Sequence, residues 1–209
     1  MTHALHREGS IKSLRGDYVL LAMVSRANRE TAGPAMARFA QIALGADPTN
    51  YGSSTFALNR PLGLQPEDFI RRAPEADGVA CVFTSKEELR QVLVELKEAD
   101  LGLSITVSGL TDEVLALARE VGLKPHSVEL SLGILGDTGQ LAEAELLEVM
   151  TMCGHSRISA ALIKRGAREV EEGLRSAEDV AHALGRPCSC GLFNLRRGEL
   201  LLSRMVEGR

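Results

Sequence analysis

The chain has 209 residues, 44% of them apolar and 25% charged, with a formal net charge of −4. That balance excludes global disorder, and the length suffices for one sizeable core or two small domains. Aromatics make up 3%, Trp is absent and no long basic run occurs, so a nucleic-acid role resting on base stacking or phosphate neutralisation is excluded.

The start of the chain is mixed and charged, with His3, His6, Arg7, Glu8, Lys12 and Arg15. It carries no apolar stretch of the secretory type, and residues 1–16 read as a flexible tail. No run approaches the ~18 apolar residues that span a bilayer, so no membrane partner is expected. Four cysteines then belong to the reducing cytoplasm, where metal binding, catalysis or burial is expected before a disulfide.

Tyr18–Val24 is a continuous apolar run, the pattern of a buried strand. A helix follows, with Thr31 as its expected cap, Met36, Phe39, Ala40 and Ala43 on its apolar face, and Gly45 at its end. Residues 45–66 are rich in turn formers, and a loop of that length points either to function or to a hidden element, for which Ser54–Leu58 is the candidate strand. Gly78–Thr84 reads as a second strand. Ser85 and Glu88 form a capping box ahead of a helix that aligns Leu89, Val92, Leu93 and Leu96. Leu103–Val107 is a third strand, Thr111 is the expected cap of a third helix that Gly122 ends, and Ser127–Leu135 reads as a fourth strand.

This rhythm predicts an α/β fold built from βαβ-type crossovers, with a ferredoxin-like sheet as the alternative to a doubly wound one. Past the Asp137–Gly139 turn every element reads as helix: 143–152, 156–172, 177–184 and 195–205, with caps at Ser176 and Asn194. The expected organisation is a tail over 1–16, an α/β domain over 17–140 and a C-terminal all-helical segment over 141–209.

Three of the four cysteines lie in that helical segment, in two tight groups, Cys153-Gly154-His155 and Cys188-Ser189-Cys190-Gly191. Both groups fall at helix breaks, where short loops between antiparallel helices can meet. Cys153, His155, Cys188 and Cys190 would supply three thiolates and one imidazole, a donor set for tetrahedral Zn²⁺ or for an iron–sulfur cluster. One-residue spacings differ from the usual zinc-finger spacing, because neighbouring donors must wrap more tightly. Two other readings stand beside it. In one, Cys153 or the Cys188/Cys190 pair serves a metal-free redox or transfer enzyme, although a helix C-terminus disfavours a thiolate at Cys153. In the other, the cysteines are structural in a non-catalytic ligand-binding or oligomerising module.

Cys81, inside an apolar strand, reads as core. Arg26, Asn28 and Arg29 follow the first strand, where open sheets bind ligands, and suit a small anionic molecule. No dinucleotide or P-loop fingerprint is present. His126 and His182 carry no pattern that assigns them a role, and Glu143, Glu145 and Glu148 read as a solvated helix face. The function expected is that of a cytosolic protein with a metal or cluster site in its helical segment and an anion site on its α/β part. Whether it is an enzyme is left open, and self-association is allowed.

Overall fold

The computed structural model describes residues 6–208, so His3 lies outside the described residues. In chain order the elements are α1 (Ile11–Leu14), β1 (Tyr18–Met23), α2 (Gly33–Gly45), β2 (Asn50–Ser53), β3 (Leu58–Asn59), α3 (Pro66–Arg72), β4 (Gly78–Phe83), α4 (Lys86–Ala99) and β5 (Ser104–Ser108). They continue with α5 (Thr111–Glu120), α6 (Ala144–Met150), α7 (Ala160–Glu171), α8 (Ala177–Gly185) and α9 (Leu195–Glu207).

The five strands form one sheet in the order β3-β2-β4-β1-β5, and every neighbouring pair is antiparallel. The crossovers β1-α2-β2 and β4-α4-β5 each step over an intervening strand. This is the split βαβ, ferredoxin-like form of the expected α/β fold, not a doubly wound sheet.

Side chains alternate across the sheet because a strand has a period of two. Tyr18, Leu20 and Ala22 of β1, with Val79, Cys81 and Phe83 of β4, enter a core built with α2, α3 and α4. Val19, Ala80 and Val82 point the other way into a second core with α6–α9. The sheet is thus the middle layer of three. The helical segment beyond residue 140 supplies the third layer and packs on the sheet itself.

Local signals behave as their chemistry requires. Ser85 accepts from the Glu88 amide and Glu88 reaches back to cap α4. Leu89, Val92, Leu93 and Leu96 are buried along one face of that helix. Ser176 and Asn194 cap α8 and α9 through the amides of Asp179 and Arg197. Thr31 does not cap α2; the helix begins after Ala32, and the Thr31 hydroxyl donates to the Asn28 carbonyl instead.

Two strand readings need correction. Residues 45–66 hold not one strand at 54–58 but the β2–β3 hairpin, with all of Asn50–Ser53 buried. The sequence Asn-Tyr-Gly-Ser has no β-branched residue, so propensity did not mark it. Ser127–Leu135 forms no strand, and its apolar side chains stand in solvent. Alternation alone does not make a strand, because the backbone needs a neighbouring strand for its hydrogen bonds.

Residues 6–16, expected as a flexible tail, lie against the third layer. Ser10 caps α1, and the Glu8 amide donates to the Thr151 hydroxyl at 2.9 Å. The fully buried Asp17 carboxylate anchors them: Arg7 contacts it at 2.5 Å and Arg197 at 2.8 Å. Arg197 also donates to the Glu8 carbonyl at 2.6 Å. A carboxylate removed from water must be paired, and two guanidinium groups from opposite ends of the chain do this.

Candidate functional site in the third layer

Both Cys-containing groups fold into the same kind of turn. After α6 the Ser156 amide closes on the Cys153 carbonyl at 2.9 Å, with Ser156 in the left-handed region at φ 54°. After α8 the Gly191 amide closes on the Cys188 carbonyl at 2.9 Å, with Gly191 left-handed at φ 75°. Each turn therefore has Cys first, a second soft donor two residues on, and a left-handed residue last. Glycine suits the last position; Ser156 occupies it at a steric cost of about 1–2 kcal/mol.

The two turns meet. The Cys188 and Cys190 sulfurs are 3.7 Å apart, and the Cys190 sulfur is 3.7 Å from Nδ1 of His155. Cys153 adjoins Cys188, whose thiol favours the ionised form of Cys153. All three thiols are buried, while His155 is half-buried and Arg157 exposed beside it, its guanidinium donating to the Ser189 hydroxyl at 3.1 Å. Among the described residues no group of three or more His, Cys, Asp or Glu side chains is arranged so that it could hold a metal ion. The four donors form a chain of pairs, Cys153–Cys188–Cys190–His155.

The electrostatics divide the protons unequally. The Cys188 thiol donates to its neighbours and is buried, which pushes its pKa up. The hydrogen bond from Cys188 pulls Cys153 down to about 6, against the opposing effect of burial, with help from the amides of Arg157 and His155 and the Arg157 charge. The same kind of bond from Cys188, with the Leu192 amide, lowers Cys190. Three close sulfurs cannot all ionise without a cation, because each thiolate disfavours the next.

The second turn is fastened to the sheet by asparagines, of which sequence reading singled out Asn194 alone, as a helix cap. Asn59 Nδ2 donates to the carbonyls of Gly185 at 3.0 Å and Cys188 at 2.7 Å. Asn50 Nδ2 donates to the Phe193 carbonyl at 2.8 Å. Asn194 Nδ2 reaches the Gly16 carbonyl at 2.8 Å and Asp17 at 2.9 Å. All three are 0% exposed, and Arg7 adds a bond to the Leu192 carbonyl. A side chain on Gly191 would collide with the Tyr51–Gly52 peptide, so the turn rests directly on β2. The only signal available beforehand was asparagine in an unassigned turn-rich stretch.

The other candidates are placed as follows. Asn28 accepts from the Ser25 amide at 2.7 Å and hydroxyl at 2.8 Å, and donates to the Gly102 carbonyl at 3.1 Å. Arg29 pairs with Asp77, and Arg26 is exposed on the same loop. Asn28 and Arg29 thus bind the loop to its own neighbours. Cys81 lies alone in the first core, its thiol pushed up by burial. His126 is exposed and His182 half-buried on α8. Glu148, read as part of a solvated face, instead meets Ser13 at 3.2 Å, Arg204 at 3.2 Å and Arg197 at 3.6 Å.

Among the described residues no helix is long and apolar enough to cross a membrane. Comparison with protein-family models, with curated proteins and with solved structures returns no match.

Proposed function

We propose that this chain binds one tetrahedral metal ion, Zn²⁺, through Cys153, His155, Cys188 and Cys190, and that the ion serves as a structural fastener between the turn after α6 and the turn after α8. The observation that carries the reading is the position of Cys190, 3.7 Å from both the Cys188 sulfur and His155 Nδ1. With metal–sulfur bonds of about 2.3 Å, tetrahedral geometry gives a sulfur–sulfur edge of about 3.8 Å and a sulfur–imidazole edge of about 3.6 Å. The paired turns support the same reading, as do the amides already directed at the Cys153 and Cys190 sulfurs, which hold and stabilise thiolates as outer-shell donors do.

Those edges favour a single ion over a cluster. A [4Fe–4S] cluster gives each thiolate its own iron, and a [2Fe–2S] cluster gives each iron two protein donors. Cys190 has two donor neighbours at one-ion distance, which argues for three donors around one centre. Four protein donors fill a tetrahedral shell and leave no position for water or substrate, the pattern of a structural site. The metal-free thiol enzyme is less well supported, since a nucleophile needs access and the three sulfurs are buried.

Metal analysis of the purified full chain, with cobalt substitution, tests this. The expected result is one equivalent of zinc that survives gel filtration, replaceable by Co²⁺ with tetrahedral thiolate visible bands, and lost in His155→Ala and Cys188→Ser. Stoichiometric iron with acid-labile sulfide would overturn the single-ion reading. Failure of the freshly reduced protein to bind either Zn²⁺ or Co²⁺ would overturn metal binding altogether.

A further inference from the structure

The sheet is unfinished at one edge. β5 is an end strand, and the first core thins out beside it, where Leu103, Ile105, Val107, Val114, Val121 and Leu123 are only partly buried. An open edge with an apolar rim is a template for another strand, and folded proteins normally cover or blunt it.

The same chain carries a strand without a sheet. Ser127–Leu135 reads Ser-Val-Glu-Leu-Ser-Leu-Gly-Ile-Leu. Leu130 is 62% and Leu132 83% exposed, and Val128 and Leu135 are also in solvent. Between the Leu123 amide, which closes the end of α5, and the Thr138 amide, no backbone–backbone hydrogen bond ties this stretch to another element among the described residues. At its surface His6 Nδ1 meets the Ser131 hydroxyl at 2.9 Å.

The two patterns match. β5 places Ile105 and Val107 toward the first core, and its period of two turns Ser104, Thr106 and Ser108 to the opposite face. The segment alternates Val128, Leu130 and Leu132 with Ser127, Glu129 and Ser131. Laid along β5, it would extend the apolar rim on one face and the hydroxyl-rich row on the other.

We propose that Ser127–Leu135 of one copy adds as an edge strand to β5 of a second copy, giving a two-fold dimer. Each chain presents one donor segment and one β5 edge, so a reciprocal exchange uses both in a self-complementary way, as an isologous interface requires. A second copy fits better than the chain's own segment because, among the described residues, that segment stands unpaired here with Ser131 hydrogen-bonded to His6. The inference is independent of the metal site.

Sedimentation velocity of the full chain over a wide concentration range tests it, beside Leu130→Glu/Leu132→Glu. Those side chains are exposed, so the double variant keeps the wild-type circular dichroism. The expected result is a wild-type dimer of twice the chain mass, a monomeric variant, and amides of 127–135 that exchange slowly only in the dimer. A wild-type monomer at every concentration overturns the proposal, and so does a dimer that survives the double substitution. Slow exchange of 127–135 within a monomer also overturns it, by showing closure onto the chain's own β5.

Discussion

The two helical layers that cover the sheet are held in different ways. The layer of α2, α3 and α4 is bound by apolar burial: Met36, Phe39, Phe69, Leu89 and Val92 sit on Tyr18, Leu20, Val79 and Phe83, and Cys81 lies among them as one more small apolar side chain. The layer of α6–α9 also buries a core, but directional groups are inserted into it. These are the asparagines at 50, 59 and 194, the Arg7–Asp17–Arg197 cluster, and the two Cys turns. The difference follows from connectivity. α2 and α4 are crossovers whose ends are fixed by the strands they join, so non-directional burial suffices. α6–α9 hang from one connection through residues 121–143, and geometry-specific bonds are needed to fix their register on the sheet.

The sharpest way to break this contrast is to remove an anchor from each layer. Arg197→Met leaves the buried Asp17 with Arg7 as its one remaining cation, and loss of a buried pair member costs about 3–5 kcal/mol. Phe83→Ala in the other layer costs a similar ~3–5 kcal/mol through its cavity. Urea denaturation should find the two variants comparably unstable. Amide exchange should separate them, since only Arg197→Met frees residues 6–16. Equal protection of that segment in both variants would refute the anchoring role.

A smaller effect is expected at Asn59→Ala, which removes one buried donor from each of the Gly185 and Cys188 carbonyls at about 1–3 kcal/mol. The same variant should hold Zn²⁺ more weakly in competition with a chelator, because the second turn loses its tie to β3. An unchanged affinity alongside lowered stability would separate the clamp from the metal site.

The smallest effect belongs to the first layer's polar exception. Tyr18 donates to Glu113 at 2.9 Å, and burial, then that bond, pushes its phenol up to about 12. A raised folded value favours the protonated form, so this contribution is complete below the ordinary value of about 10 and is lost as pH rises through about 12. Ultraviolet titration should show Tyr18 ionising late, and Glu113→Gln should bring its titration earlier.

Much of the molecule is legible in its sequence where the signal is local. The capping box at Ser85 and Glu88, the apolar face of α4 and the caps at Ser176 and Asn194 depend on residues a few positions apart, and the structure keeps them all. The cysteine groups were legible for a related reason: rare soft donors one residue apart at helix breaks imply turns, and both turns form. That the two turns meet, with Cys190 between Cys188 and His155, was a conjecture from helix packing, and the fold brings them to 3.7 Å.

Tertiary structure alone decided what depends on distant partners. β2 is a strand because β4 and β3 flank it, though Asn50–Ser53 has little intrinsic preference for one. Ser127–Leu135 has the better alternation and is not a strand, because no neighbour completes its backbone bonds. Asn50 and Asn59 look like turn residues in the chain and become clamps only when α8 and α9 arrive beside them. Caps and amphipathic faces are settled within one or two helical turns, whereas pairing, burial of polar groups and meeting of loops are settled by chain segments far apart in sequence.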